Sequence, residues 1–218
     1  MKKVYCIPGF GVDEKIYGNL KIENAALHFI NWLDPEEGES FRHYCQRMSE
    51  PIDSEDPVII GISFGGMVAQ EIAAFRKVKL IILISSIKTR AEMPLSMRIA
   101  GTLRLNRLFP VKMIQQSNQV YKIANRRLGA YTKEEQEFAN VYRKNAKISY
   151  VNWSFDQILN WRSGGTPEKM IHIHGSKDRI FPIRTIQADF IIEGGTHMMI
   201  WNRSQEISRI INDQLADE

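Results

Sequence analysis

Val58-Ile59-Ile60-Gly61-Ile62-Ser63-Phe64-Gly65-Gly66 reads as a buried strand, a sharp turn and the first turn of a helix. The Val/Ile run is apolar throughout rather than alternating, as in a strand covered on both faces. The turn carries Gly-x-Ser-x-Gly. A strand-to-helix turn this tight strains the serine and exposes its hydroxyl at the carboxyl edge of a sheet. Only small neighbours allow the backbone to approach so closely, which accounts for Gly61 and Gly65. The helix start adds free N–H groups and a positive dipole end beside that hydroxyl.

Working outward, further runs of the same kind predict strands near 3–7, 26–31, 79–85, 169–174 and 188–193, with 57–62 among them. Helix-like segments lie near 13–20, 40–48, 64–76 and 204–215. Strand–helix alternation of this kind predicts an α/β sheet with right-handed crossovers. The rhythm breaks at 88–163. Here Met93, Met97, Leu103 and Leu108 recur at helical spacing, as do Phe138, Val141, Tyr142 and Ile148. Thr132 and Glu135 have the spacing of a capping box, and Pro94 suits a first helical turn. The expected organisation is an α/β core formed by 1–87 and 164–218, interrupted by a helical insertion over 88–163.

Composition excludes several classes. With 218 residues, 44% hydrophobic and 25% charged, the chain is neither disordered nor collagen-like nor a coiled coil. Two cysteines, Cys6 and Cys45, fit a reducing compartment better than a disulfide framework. No run approaches the roughly 18 apolar residues of a membrane span. The apolar run after Met1-Lys2-Lys3 stops at Pro8-Gly9, short of a secretory signal, so a cytoplasmic location is expected. The net charge is +4, yet 88–162 holds 14 Lys and Arg against 5 Asp and Glu. No nucleic-acid partner is expected.

A serine hydroxyl needs a base to become a nucleophile. Among five histidines, His28 falls in a strand and His43 in a helix. His172 and His174 alternate along a strand, two imidazoles without a third metal ligand. His197, in Gly194-Gly195-Thr196-His197, instead follows a strand end, where α/β proteins carry reactive groups. It is the candidate base. Asp178, in His174-Gly175-Ser176-Lys177-Asp178, also follows a strand and precedes His197, which makes it the candidate orienting acid. Ile7-Pro8-Gly9-Phe10-Gly11 leaves the first strand at the same edge. The backbone N–H groups of Phe10 and Phe64 are therefore the candidate oxyanion hole.

Taken in this order, Pro8-Gly9-Phe10-Gly11, Gly61-Ile62-Ser63-Phe64-Gly65-Gly66, His174-Gly175-Ser176-Lys177-Asp178 and Gly195-Thr196-His197 resemble the α/β-hydrolase family across nearly the whole chain. The resemblance implies a mostly parallel sheet flanked by helices, with 88–163 as a helical lid. Members usually begin with two further strands, so a trimmed sheet of about six is expected. One residue more than the common Gly-His pair precedes His197.

The reading is a serine hydrolase cleaving a carboxylic ester or thioester through Ser63, His197 and Asp178, with no cofactor and no metal required. Lyase chemistry on the same three residues and a ligand-binding module of the same fold are the alternatives. Met67, Met97, Trp153, Met198 and Trp201 are candidates to line the substrate pocket, with Met93, Met113, Met199 and Trp161 also considered. The basic insertion reads either as a solvated face or as a field drawing in an anionic substrate or an acidic acyl carrier protein. The solvated face is the simpler reading.

Overall fold

The Val/Ile runs form the sheet. A computed structural model describes residues 1–105, 117–163, 167 and 169–216. Its strands are β1 (Lys2–Ile7), β2 (Ala25–Phe29), β3 (Val58–Ile62), β4 (Leu80–Ile84), β5 (Met170–Gly175) and β6 (Phe190–Ile192), in the order β2-β1-β3-β4-β5-β6. Every neighbouring pair is parallel, in line with the six-stranded expectation. Successive side chains point to opposite faces. Tyr5, Ile7, Ile59, Ile81 and Leu83 therefore join one core layer, while Val4, Cys6, Ile60, Ile82 and Ile84 join the other.

Helices α1 (Phe41–Met48) and α2 (Phe64–Ala73) contribute Tyr44, Met48, Phe64 and Met67 to the first layer. The C-terminal helix contributes Ile207, Ile211 and Leu215 to the second. The helix expected at 13–20 is only a 3-10 turn, Glu14–Tyr17. Asp13 caps it through Lys15 N–H, and Gly18 closes it on the Lys15 carbonyl. Burial of Ile16 and Tyr17, whose hydroxyl donates to the Ile7 carbonyl at 2.7 Å, pins the segment before a longer helix can form.

Between β4 and β5 lie α3 (Leu95–Thr102), α4 (Asn118–Leu128), α5 (Lys133–Asn145) and α6 (Ile148–Asn160). Leu108 and Met113 lie outside the described residues. Helix α5 opens with a complete capping box, Thr132 and Glu135, whereas Pro94 is the N-cap of α3 rather than a helical residue. These helices are fastened to loops at the carboxyl edge of the sheet. Phe10 stacks on Tyr150 of α6 at 5.8 Å, and Tyr142 of α5 donates to Asp13. Gly129, in the left-handed conformation after α4, presses against Thr196. The four-residue α7 (Met199–Asn202) and the 13-residue α8 (Ser204–Ala216) complete the fold. Among the described residues, no helix is long and apolar enough to cross a membrane.

Strand order reverses between β1 and β3. The chain moves outward from β1 to β2, returns to β3 and continues the other way, which opens a crevice beyond the carboxyl ends of β1 and β3. The loops carrying Phe10 and Ser63 leave the sheet there.

Candidate active site

Ser63 has φ +50° and ψ −115°, a conformation that side-chain-bearing residues rarely adopt. Backbone bonds hold it on both sides. Its N–H donates to the Ile84 carbonyl at 2.9 Å, and its carbonyl accepts from Ser86 Oγ at 2.7 Å. A Cβ at Gly61 would meet the Gly65 carbonyl at 2.6 Å, and one at Gly65 would run into the carbonyls of Ile7 and Pro8. Small residues at these positions are thus a packing requirement. They let α2 start directly on the ends of β1 and β3.

Beside Ser63 Oγ lies His197 Nε2, at 3.0 Å. The opposite ring nitrogen, Nδ1, is 2.7 Å from Asp178 Oδ2. A carboxylate can only accept, so Nδ1 carries the proton and Nε2 offers its lone pair to the serine hydroxyl. Asp178 is buried, and its other oxygen accepts from Ile180 N–H at 2.7 Å and Phe181 N–H at 2.9 Å. Burial pushes this carboxyl up. The neighbouring His197, His174 and the Phe181 N–H outweigh that penalty and hold it below the usual aspartate range. The Phe181 ring meets the His197 ring edge-on at 5.6 Å.

The loops bearing acid and base are fastened to each other. Lys177 N–H donates to the Gly195 carbonyl at 2.8 Å, Ser176 N–H to the Ile192 carbonyl at 3.0 Å, and Gly194 N–H to Ser176 Oγ at 2.8 Å. The extra residue before His197 is absorbed by Gly194 at φ +73° and by the contact of Gly195 with Gly175, where a Cβ on Gly175 would meet the Gly195 backbone.

Behind Asp178 lies a pair of buried imidazoles. His174 Nε2 is 2.8 Å from the Phe181 carbonyl and 3.6 Å from Asp178 Oδ2. The carbonyl accepts only, so Nε2 is protonated and, in the neutral ring, Nδ1 is the acceptor. It lies 3.2 Å from His172 Nε2, which therefore donates. His172 Nδ1 is buried without a well-aligned hydrogen bond among the described residues, although the Ser86 backbone also acts on this ring. Burial drives both rings toward neutrality, His172 down to about 3 and His174 below its ordinary value. The two imidazoles point at each other, not outward at a shared ligand. Elsewhere, Glu36, Glu39 and His43 lie close together, but Arg47 and His43 already occupy the Glu39 carboxylate.

At the candidate oxyanion hole, neither the Phe10 nor the Phe64 N–H has an acceptor among the described residues. For Phe64 this follows from its place as first residue of α2. Trp32 braces both segments, donating from Nε1 to the Gly9 carbonyl at 2.9 Å and stacking on Phe64 at 5.2 Å. Tyr150 adds a weaker bond from Gly11 N–H at 3.4 Å. Sequence reasoning did not single out Trp32, Tyr150 or Ser86. A tryptophan just past β2 was the one available signal, because that strand neighbours β1.

The candidate pocket residues do not share one surface. Met67 is fully buried in the α1/α2 layer, against which Met97 and Trp153 pack. Trp153 donates to the Glu39 carbonyl at 3.0 Å. Trp201 packs on the opposite layer, 4.5 Å from Phe138. Met198 is buried beside His197 in the chain, and Met93, Met199 and Trp161 are buried as well.

Comparison with known proteins agrees with this architecture. The alpha/beta hydrolase family model matches residues 4–210, so the chain belongs to that family. None of the curated proteins matches the sequence. Among solved structures, a thermophilic esterase from Thermogutta terrifontis is 14% identical with a TM-score of 0.71, covering 100% of this chain and 90% of that one. A hydrolase from Oleispira antarctica is 12% identical with a TM-score of 0.75, covering 100% and 92%. An epoxide hydrolase from Bacillus megaterium is 11% identical with a TM-score of 0.68, covering 99% and 94%. Such similarity describes a shared fold, and chemistry must be argued from the site.

Proposed function

We propose that this chain is a serine hydrolase of carboxylic esters or thioesters that works through an acyl-enzyme. The observation that carries the proposal is the hydrogen-bonded series Ser63 Oγ, His197 and Asp178, set on a strained turn at a helix start. His197 Nε2 takes the hydroxyl proton as Ser63 Oγ attacks the acyl carbon. Asp178 stabilises the resulting imidazolium and keeps its orientation. The N–H groups of Phe10 and Phe64 hold the tetrahedral oxyanion, each worth about 3–4 kcal/mol in the transition state. The imidazolium then protonates the departing alcohol or thiol. Water, deprotonated by the same nitrogen, releases the acid and restores Ser63.

Helices α3 to α6, within 88–163, serve in this reading as a lid over the crevice, since they are anchored to the Phe10 and Thr196 loops. The substrate is a small acyl ester or thioester, and catalysis requires no metal or organic cofactor. Cys6 and Cys45, both free and buried, support a reducing, cytoplasmic setting.

The test is labelling by a fluorophosphonate together with turnover of p-nitrophenyl esters and acyl thioesters of graded length. Ser63 is expected to carry the label, and Ser63→Ala to abolish both signals. Rapid turnover of any substrate by the Ser63→Ala protein would refute the assignment. Rapid turnover by the wild type with no trapped acyl-enzyme would transfer the site to lyase chemistry.

A further inference from the structure

The cations of the structure are unevenly paired. Many surface lysines and arginines face a carboxylate, among them Lys3 with Asp53, Arg47 with Glu39, Lys77 with Asp56 and Lys147 with Asp34. Others, such as Lys122, Lys144, Arg184 and Arg209, have no ion pair among the described residues, and Arg126, Arg127 and Arg179 are set apart from these by the cleft they share. All three are exposed, and none has a hydrogen bond or ion pair among the described residues. They converge, with Ile123, on one cleft of about 350 Å³. Arg126 and Arg127 stand in the last turn of α4, where the negative end of the helix favours cations. That local effect does not explain Arg179, which reaches the same cleft from the loop after β5.

The cleft adjoins the catalytic loops. Arg179 follows Asp178 directly. Gly129, two residues beyond Arg127, lies against Thr196, the residue before His197. Three guanidinium groups with no counter-ion among the described residues offer planar donor pairs that match carboxylate and phosphate oxygens. Ile123, 63% exposed, adds an apolar wall for an alkyl chain.

From this we infer that the cleft binds an anionic oxygen group, a carboxylate or a phosphate, carried by the substrate at a distance from the bond that Ser63 attacks. The inference rests on the hydrolase reading and narrows it. The preferred substrate is an acyl ester or thioester with a charged end. The anion is held between α4 and the acid loop while the acyl carbon lies at Ser63.

Two substrate series test this and separate the sources of charge. One pairs p-nitrophenyl half-esters of dicarboxylic acids of graded length with their methyl-capped counterparts, placing a carboxylate on the acyl side. The other pairs acyl-CoA with acyl-N-acetylcysteamine thioesters, placing phosphate on the leaving side. At low salt, kcat/KM is expected to favour the charged member of one series at least about tenfold. That preference should fall roughly three- to fivefold with each of Arg126→Gln, Arg127→Gln and Arg179→Gln, and should shrink as NaCl rises from about 0.02 to 0.5 M.

Equal turnover of charged and capped partners at low salt would overturn the inference while leaving hydrolysis intact. So would a preference that survives in the triple variant. If no ester or thioester is cleaved, the hydrolase reading fails separately, and calorimetric titration of suberate and of CoA into the Ser63→Ala protein decides the cleft. Binding abolished by the triple substitution supports the anion site, and absence of binding refutes it.

Discussion

His172 supplies a quantitative handle on the architecture behind the candidate acid. It is fully buried, and burial pushes its ring down to about 3. In the unfolded chain the same ring titrates near ~6.5. Below that pH the unfolded state takes up a proton that the folded state refuses. Stability is therefore intact above about pH 6.5 and is lost as pH falls toward the folded value.

Between about pH 7.5 and 5 the unfolded ring gains RT ln(1 + 10^1.5), or about 2 kcal/mol, while the folded ring stays neutral. The result changes little if the folded value lies a unit higher. His172→Gln removes the titration and retains an N–H that can donate to His174 Nδ1. Urea unfolding followed by tryptophan fluorescence, extrapolated to water at a series of pH values, measures the difference. The variant is expected to lose about 2 kcal/mol less than the wild type over this range. His174, shifted in the same direction, steepens both curves alike. Parallel curves for the two proteins would show that the folded state admits the proton at position 172, refuting the reading of a neutral buried ring.

Asp178→Asn retains an oxygen able to accept from Ile180 and Phe181 but cannot hold the Nδ1–H tautomer of His197. It is expected to lower kcat about 10⁴-fold with an unchanged circular dichroism spectrum, and near-wild-type turnover would place the acid elsewhere. Trp32→Phe keeps a ring against Phe64 and loses the bond to Gly9. A loss of about 1 kcal/mol should appear as a roughly fivefold fall in kcat with little change in KM, and a KM effect alone would assign Trp32 to substrate binding. Gly65→Ala gains about 1 kcal/mol of helix propensity but drives a methyl into the carbonyls of Ile7 and Pro8, which cannot withdraw without moving β1. A net loss of about 2 kcal/mol or more should lower Tm by at least about 4 °C, and an unchanged Tm would show the turn to be looser than described.

What was legible in the sequence follows from the reach of each signal. Strands such as β3 and β4 are unbroken Val, Ile and Leu runs punctuated by Gly or Ser, and both fall within a residue or so of their expected bounds. The segment after Asp13 has helical spacing, yet Gly18 and a buried Tyr17 reduce it to a single turn, because a tertiary hydroxyl bond decides its length. Met199–Asn202 is too short to leave a periodic pattern. Within the site, Ser63, Asp178 and His197 could be proposed because each follows a strand at the same edge. Trp32 and Tyr150 could not, since their contact with the Phe10 loop depends on side chains from distant segments meeting across the crevice. The pairing of His172 with His174 was half legible. Alternation along a strand placed both on one face, but only the Phe181 carbonyl fixes which nitrogen donates.

The bonds that weld the loop after β5 to the loop after β6 have a mechanical meaning. Aspartate and imidazole travel as a single piece, while the serine belongs to a separate piece made of β3, its turn and α2. The two pieces are joined through β4 in the sheet, and at the site itself they face each other across the 3.0 Å between Oγ and Nε2. The inserted helices reach the acid–base piece where Gly129 presses on Thr196, so a change in that segment is felt there as well. In the proposed mechanism, a change that widens the gap between Oγ and Nε2 would slow acyl transfer while leaving the sheet's own pairing in place.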